Sequence, residues 1–203
     1  MKPMEIEQAS MAIIERELQV ALDPEIKPIV KRVIHATADF SFAESMVFTP
    51  GVVPYARELL ARGAMIVTDT QMAKAGINKT ILASLGGEVH CFMSDPDVAQ
   101  EAKTRGVTRA FVSMERAAML QKPCIFAIGN APTALLSLEV LMEENKVAPA
   151  LIIGVPVGFV NVEASKEQII AAARAPYIIA RGRKGGSNVA AAICNALLYQ
   201  IRR

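Results

Sequence analysis

The chain has 203 residues, 52% of them apolar, and a net charge of only +2. That length suits one domain with a sizeable core, so residues 1–203 are expected to form a single unit. Scattered Lys and Arg with seven Phe, three Tyr and no Trp argue against a nucleic-acid surface. No apolar run approaches the ~20 residues of a membrane span, which argues against a membrane protein.

The start, Met1-Lys2-Pro3-Met4-Glu5, lacks the apolar core of a signal peptide, so a cytoplasmic location is expected. Ile6, Ala9, Ile13, Ile14 and Leu18 give a first segment helical spacing, with Ser10 placed mid-helix. Asp23-Pro24-Glu25 then reads as an N-cap acid followed by proline at the first helical position. Ile26, Ile29, Val30, Val33 and Ile34 continue that helix, and His35 falls in its last turn. The negative end of the helix dipole favours an imidazolium there, typically by ~0.3–1 kcal/mol. A histidine so biased is a candidate proton donor.

After Asp39-Phe40-Ser41-Phe42, Thr49-Pro50-Gly51 opens a helix through Leu60 that stops at Gly63. From there the pattern becomes regular. Apolar runs at 64–68, 88–93, 124–128, 150–155 and 177–180 read as five strands. Between them lie helices at 72–85 (broken at Gly76), 96–105, 108–120, 134–144 and 163–173, and a last helix covers 188–199. Apolar runs without alternation mark strands buried on both faces, hence a five-stranded parallel sheet between helical layers. Ligands of such sheets bind outside the carboxyl ends of the strands.

Two strand-to-helix turns carry the most chemistry. In the first, Gly129 allows a close backbone approach, Asn130 suits an N-cap and Pro132 the first helical turn. In the second, Gly185-Gly186-Ser187 offers backbone N–H groups at a helix start beside Arg181, Arg183 and Lys184. Both patterns suit anions. Arg109 and Lys79 also open helices, against the dipole, a mismatch that bound carboxylates would relieve. Lys166 lies near a helix start, where most lysines are simply solvated. His90 reads as a satisfied structural histidine in its strand. Cys91, Cys124 and Cys194 read as buried reduced thiols, and the absence of CxxC, HExxH and carboxylate clusters predicts no protein-bound metal. No GxGxxG or GxxxxGK[ST] occurs, which disfavours a nucleotide-dependent enzyme such as a dehydrogenase.

Taken together, three ordered motifs resemble the precorrin-8X methylmutases, over nearly the whole chain. They are Gly129-Asn130-Ala131-Pro132-Thr133, Pro156-Val157-Gly158-Phe159-Val160 with Ser165-Lys166, and Arg181-Gly182-Arg183 with Gly185-Gly186-Ser187. The resemblance implies a flavodoxin-like three-layer αβα fold and a homodimer with active sites near the subunit interface. It implies an isomerase of corrinoid (vitamin B12) synthesis that moves a methyl group from C-11 to C-12 of a precorrin, giving a hydrogenobyrinate or, with cobalt, a cobyrinate. No cofactor is implied, although the tetrapyrrole substrate can itself carry cobalt. The family's catalytic histidine matches His35, and its substrate-binding Ser and Arg match Ser10 and Arg109. A ligand-proximal threonine of relatives appears here as Asn78. With Lys79, Gly129, Asn130, Lys166, Arg181 and Ser187, these form the expected substrate-binding set. Ala36-Thr37-Ala38-Asp39-Phe40 is more similar to the cobalt-pathway members, and Asp39 takes no role. A non-catalytic corrinoid carrier is the competing reading.

Overall fold

A computed structural model describes the backbone of residues 3–201 and the side chains from residue 5 to residue 201. The five apolar runs become strands, and a sixth joins them. In chain order the strands are β1 (Met46–Phe48), β2 (Met65–Thr68), β3 (Val89–His90), β4 (Cys124–Ile128), β5 (Leu151–Gly154) and β6 (Tyr177–Ala180). They form one sheet in the order β1-β6-β5-β4-β2-β3. Five strands are mutually parallel; β1 alone is antiparallel, pairing Met46 with Ala180 and Phe48 with Ile178. The expected five-stranded, all-parallel sheet is therefore corrected to six strands. β1 escapes a periodicity argument because three residues after a single-turn helix are too few to show a pattern.

Among the described residues, eleven α-helices surround the sheet: α1 (Pro3–Glu17), α2 (Lys27–Thr37), α3 (Phe42–Ser45), α4 (Val52–Ala61), α5 (Gln71–Gly76), α6 (Lys79–Ser84), α7 (Pro96–Arg105), α8 (Arg109–Arg116), α9 (Pro132–Glu143), α10 (Val162–Ala172) and α11 (Ser187–Ile201). Residues alternate between the two faces of each strand. Ile66, Ile125, Ile153 and Ile178 join a core with α2, α4 and α11, whereas Val67, Phe126, Ile152 and Ile179 join another with α8 and α9. Both faces are dry, which explains why the strands read as unbroken apolar runs.

Three local readings change. α2 begins at Lys27, one turn later than its sequence signal, because Asp23 and Pro24 build a separate turn. In that turn the Asp23 carboxylate accepts from the Glu25 N–H (2.7 Å), and its carbonyl accepts from Lys27. Pro28, not Pro24, occupies the first helical turn. β3 keeps only Val89 and His90 of the six-residue run, since the chain turns back at Phe92 to bond the Asp95 N–H. His90 is not the satisfied histidine expected of it: its Nε2 is buried without a hydrogen bond, 3.6 Å from a Glu88 carboxylate oxygen, and its ring stacks on Phe92. The three cysteines are buried free thiols, as read.

β2 runs to β3 on one side and the chain then crosses to β4 on the other, so the strand order reverses between β2 and β4. Their carboxyl ends carry Asp69-Thr70 and Gly129-Asn130. Because β1 is antiparallel to β6, its first residue lies at the carboxyl end of β6. That reversal brings the end of α2, through α3, to the same edge of the sheet.

Candidate active site

The carboxyl edge is built from four connections. The first is the end of α2. Ile29, Val30, Val33 and Ile34 bury one face of this helix, each worth about 1.5–3 kcal/mol, and fix its roll. His35 therefore projects outward from the last turn, exposed and, among the described residues, without a hydrogen-bond partner. The helix stops at Ala38, whose φ of 53° is left-handed and whose N–H closes on the Ile34 carbonyl at 2.7 Å. A non-glycine residue in that conformation costs about 1–2 kcal/mol, and such strain gathers at functional sites. Four residues beyond His35, Asp39 accepts from Ser41 Oγ (2.7 Å) and pairs with Lys184 Nζ (2.6 Å). The Lys184 hydrogen bond, helped by Ser41, holds the Asp39 carboxyl down to about 2. Asp39, without a role in sequence, is thus an anchor.

The second connection, after β2, places Asp69 almost wholly buried at the reversal of strand order. Its carboxylate accepts three backbone N–H groups: Gly129 (2.9 Å), Asn130 (2.8 Å) and Ala131 (2.6 Å). Burial pushes this carboxyl up, and the three N–H bonds pull it back. The third connection, residues 129–131, therefore already holds an anion, and it is the chain's own. Gly129 is explained the same way. A Cβ there would lie 2.7 Å from Ser187 Cα, so its bareness admits a neighbouring loop. The Asn130 side chain is exposed and caps nothing; the N-cap of α9 is Ala131. Pro132 does fall in the first turn.

The fourth connection, 181–187, is gripped by α10. Lys166, expected near a solvated helix start, is fully buried. Its Nζ donates to the carbonyls of Gly182 (2.7 Å) and Lys184 (3.0 Å), and burial holds the amine down to about 8. Glu163 pairs with Arg183 (2.7 Å) and Glu167 with Arg181 (3.2 Å), both at the surface. The Gly186 N–H is donated to the Val155 carbonyl, so it is not bare as its sequence suggested. Ser187 Oγ lies 2.7 Å from Thr70 Oγ1, closing the crevice between β2 and α11.

His35, Gly129, Asn130, Lys166, Arg181 and Ser187 are thus brought to one edge. The other expected residues stand on other elements. Ser10 is half-buried on α1, and Arg109 is exposed at the start of α8, without an ion pair among the described residues. Asn78 caps α6 through Ile81 N–H (3.1 Å), and its own N–H goes to Asn195 on α11 (2.8 Å); Lys79 beside it is exposed. No hydrogen bond or ion pair among the described residues links these four to the His35 edge. A groove of about 800 Å³ lies between α1, α2 and α11, but its wall ends at Arg32 and does not include His35. Sequence reasoning missed Asp69 and Thr70. The signal was an acid directly after the short run Met65-Ile66-Val67-Thr68, all of it buried.

A mostly parallel sheet with an exposed histidine and three surface ion pairs at its carboxyl edge defines an α/β protein with an open, polar carboxyl edge. The comparisons with known proteins narrow that class. The family profile described as precorrin-8X methylmutase matches residues 5–200. The cobalt-precorrin-8 methylmutase of Priestia megaterium is 44% identical over 197 residues, covering 97% of this chain and 87% of that protein. The precorrin-8X methylmutase of Pseudomonas aeruginosa is 38% identical over 190 residues, covering 93% and 91%. A solved precorrin-8x methyl mutase from Thermus thermophilus superposes with a TM-score of 0.87 at 35% identity, covering 97% of both chains. The chain belongs to the precorrin-8X methylmutase family.

Proposed function

We propose that this protein is an isomerase of cobalamin biosynthesis that carries a methyl group from C-11 to C-12 of precorrin-8 or its cobalt form, with His35 as general acid. The observation that carries this reading is a family match over residues 5–200 together with a histidine left exposed, unpaired and at a helix C-terminus. Donating its proton to, or hydrogen-bonding, the ring nitrogen beside C-11 draws electron density from the conjugated system and lowers the barrier to a suprafacial shift. The proton returns when the methyl has moved, so the step is redox-neutral and calls for no cofactor. General acid help of this kind is commonly worth about 10²–10⁴-fold. Arg181 and Arg183 take carboxylate arms of the substrate in exchange for their surface partners Glu167 and Glu163, and Ser10, Asn78, Lys79, Arg109, Asn130 and Ser187 fill out the binding set.

The doubly wound, flavodoxin-like layering rests on the order of the five parallel strands, β3-β2-β4-β5-β6, with helices on both faces. A homodimer with sites near its interface is supported by apolar side chains left bare at this edge: Met72, Phe159 and Val160 are 71%, 84% and 77% exposed. Among the described residues no helix is long and apolar enough to cross a membrane.

The test is to add the purified protein to the precorrin and follow the visible spectrum. Conversion to the product chromophore requires catalysis, and a static complex returns the carrier reading. In His35→Ala, turnover is expected to fall by at least about 10²-fold while tetrapyrrole binding stays within a few-fold. An unaltered rate removes His35 from the mechanism.

A further inference from the structure

Lys166 is the one lysine of this edge that cannot meet a ligand, because none of its surface reaches solvent. It also lacks a carboxylate partner, although acids flank it on both sides. Glu163 and Glu167 turn outward to Arg183 and Arg181 instead. Both hydrogen bonds of the ammonium go to main-chain carbonyls of one short segment, Gly182 and Lys184. Residues at i, i+3 and i+4 share one helix face. That face of α10 thus grips residues 181–184 at three points, two ion pairs outside and one buried cation between them. Gly182, with φ of 74°, makes the bend that turns its carbonyl inward. From the far side, Lys184 reaches Asp39 and Ser41 at the end of the α2 turn. The Arg181 N–H donates to the Ser45 carbonyl at 2.8 Å, a further tie to the same segment.

We propose that Lys166 is a positioning residue: it sets the main-chain path of 181–184, which presents Arg181 and Arg183 to the substrate and, through Lys184 and Asp39, fixes the helix end that carries His35. The consequence for His35 rests on the function proposed above; the consequence for the loop does not. A cation placed to bind substrate directly would need an open approach, and this one has none. Its role in recognition passes entirely through the backbone it holds.

The test combines hydrogen exchange of amides 182–187, without substrate, with steady-state kinetics on the full chain. In Lys166→Met, exchange protection of that segment is expected to fall by about tenfold or more. kcat is expected to fall by about 10–10²-fold, the scale for misplaced groups, alongside a rise in KM. Asp39→Asn, which cuts the second tie at an accessible site, should lower kcat in the same direction. The double variant should lose less than the product of the two single losses, because both act through one loop. A rise in KM alone, with protection unchanged, identifies Lys166 as a direct substrate contact and overturns the proposal. Unchanged protection with unchanged kinetics overturns it too. If Lys166→Met gives no cooperative unfolding transition, Asp39→Asn and Lys184→Met carry the test, and undisturbed protection in both overturns the link to α2. Retained turnover in His35→Ala would count against the catalytic assignment only, since exchange is read without substrate.

Discussion

The turns after β4 and β6 are built from the same kinds of residue and do opposite things. Both pair glycine with polar residues at a helix start, and by sequence both suit an anion. At 129–131 three N–H groups point inward and already hold the Asp69 carboxylate. At 181–187 the carbonyls point inward onto buried Lys166, and three cationic side chains remain outside. A turn whose donors are satisfied from within is closed to a foreign anion. A turn whose acceptors are satisfied from within leaves its cations outside, in surface ion pairs with Glu167, Glu163 and Asp39.

That contrast breaks most visibly at Asp69. Asp69→Ala leaves three N–H groups, one buried and two part-buried, without an acceptor, and the expected loss is about 3–5 kcal/mol in urea unfolding. The vacated turn then becomes the anion site its sequence suggests. Added formate or acetate should recover part of the lost Tm by mass action, which it does not do for the parent protein. A variant whose Tm ignores formate would show that the turn has collapsed and is not a preformed anion cradle.

The glycines sharpen the same difference at smaller cost. A Cβ on Gly129 would meet Ser187 Cα at 2.7 Å and the Gly186 carbonyl oxygen at 2.8 Å, both backbone atoms that cannot swing away. Gly129→Ala is therefore expected to cost about 1–3 kcal/mol as overpacking between the two turns. Gly182 has open space around it, with nothing within 4 Å of a Cβ, and its φ of 74° alone demands glycine. Gly182→Ala should cost only about 1 kcal/mol, from conformation. Denaturant midpoints of the two variants compare them directly. The reverse order would mean that the outer turn is the more tightly packed.

Much of the scaffold is legible in the sequence because it rests on local rules. Five apolar runs, helices between them and His35 in a last turn all follow from periodicity and composition. What escapes is what depends on partners far along the chain. Asp69 meets its turn across 60 residues, and no spacing rule connects them. Lys166 reads as a solvated lysine because its reason for burial lies 16 and 18 residues away, in carbonyls that any sequence would supply. β1 exists only as a partner for β6. The pattern Glu163-x-x-Lys166-Glu167 was a usable clue, since three charges on one helix face opposite Arg181-Gly182-Arg183-Lys184 invite pairing.

The smallest effect separates the two turns by pH. Asp39 titrates at about 2 in the fold against an ordinary 3.8, because Lys184 and Ser41 favour its charged form. A lowered carboxyl contributes stability that is present above the unfolded value and lost as pH falls through the folded one. Its contribution should therefore fade between about pH 4 and about pH 2. Lys184 is 60% exposed, so solvent screening limits the contribution to about 1 kcal/mol or less. Asp69 titrates above its ordinary value, since burial pushes its carboxyl up, so it stays out of this lower window, which Asp39 shares with Asp97, held down by Arg116. Asp39→Asn should accordingly lower stability by up to about 1 kcal/mol near neutrality, where the contribution is fully present, and flatten the acid limb of the stability curve in that window. Salt should flatten the parent curve in the same way, because the pair is exposed. An acid limb that neither the substitution nor salt alters would mean the Lys184 pair contributes nothing, and the outer turn would then rest on α10 and its main-chain bonds to Ser45 and Val155.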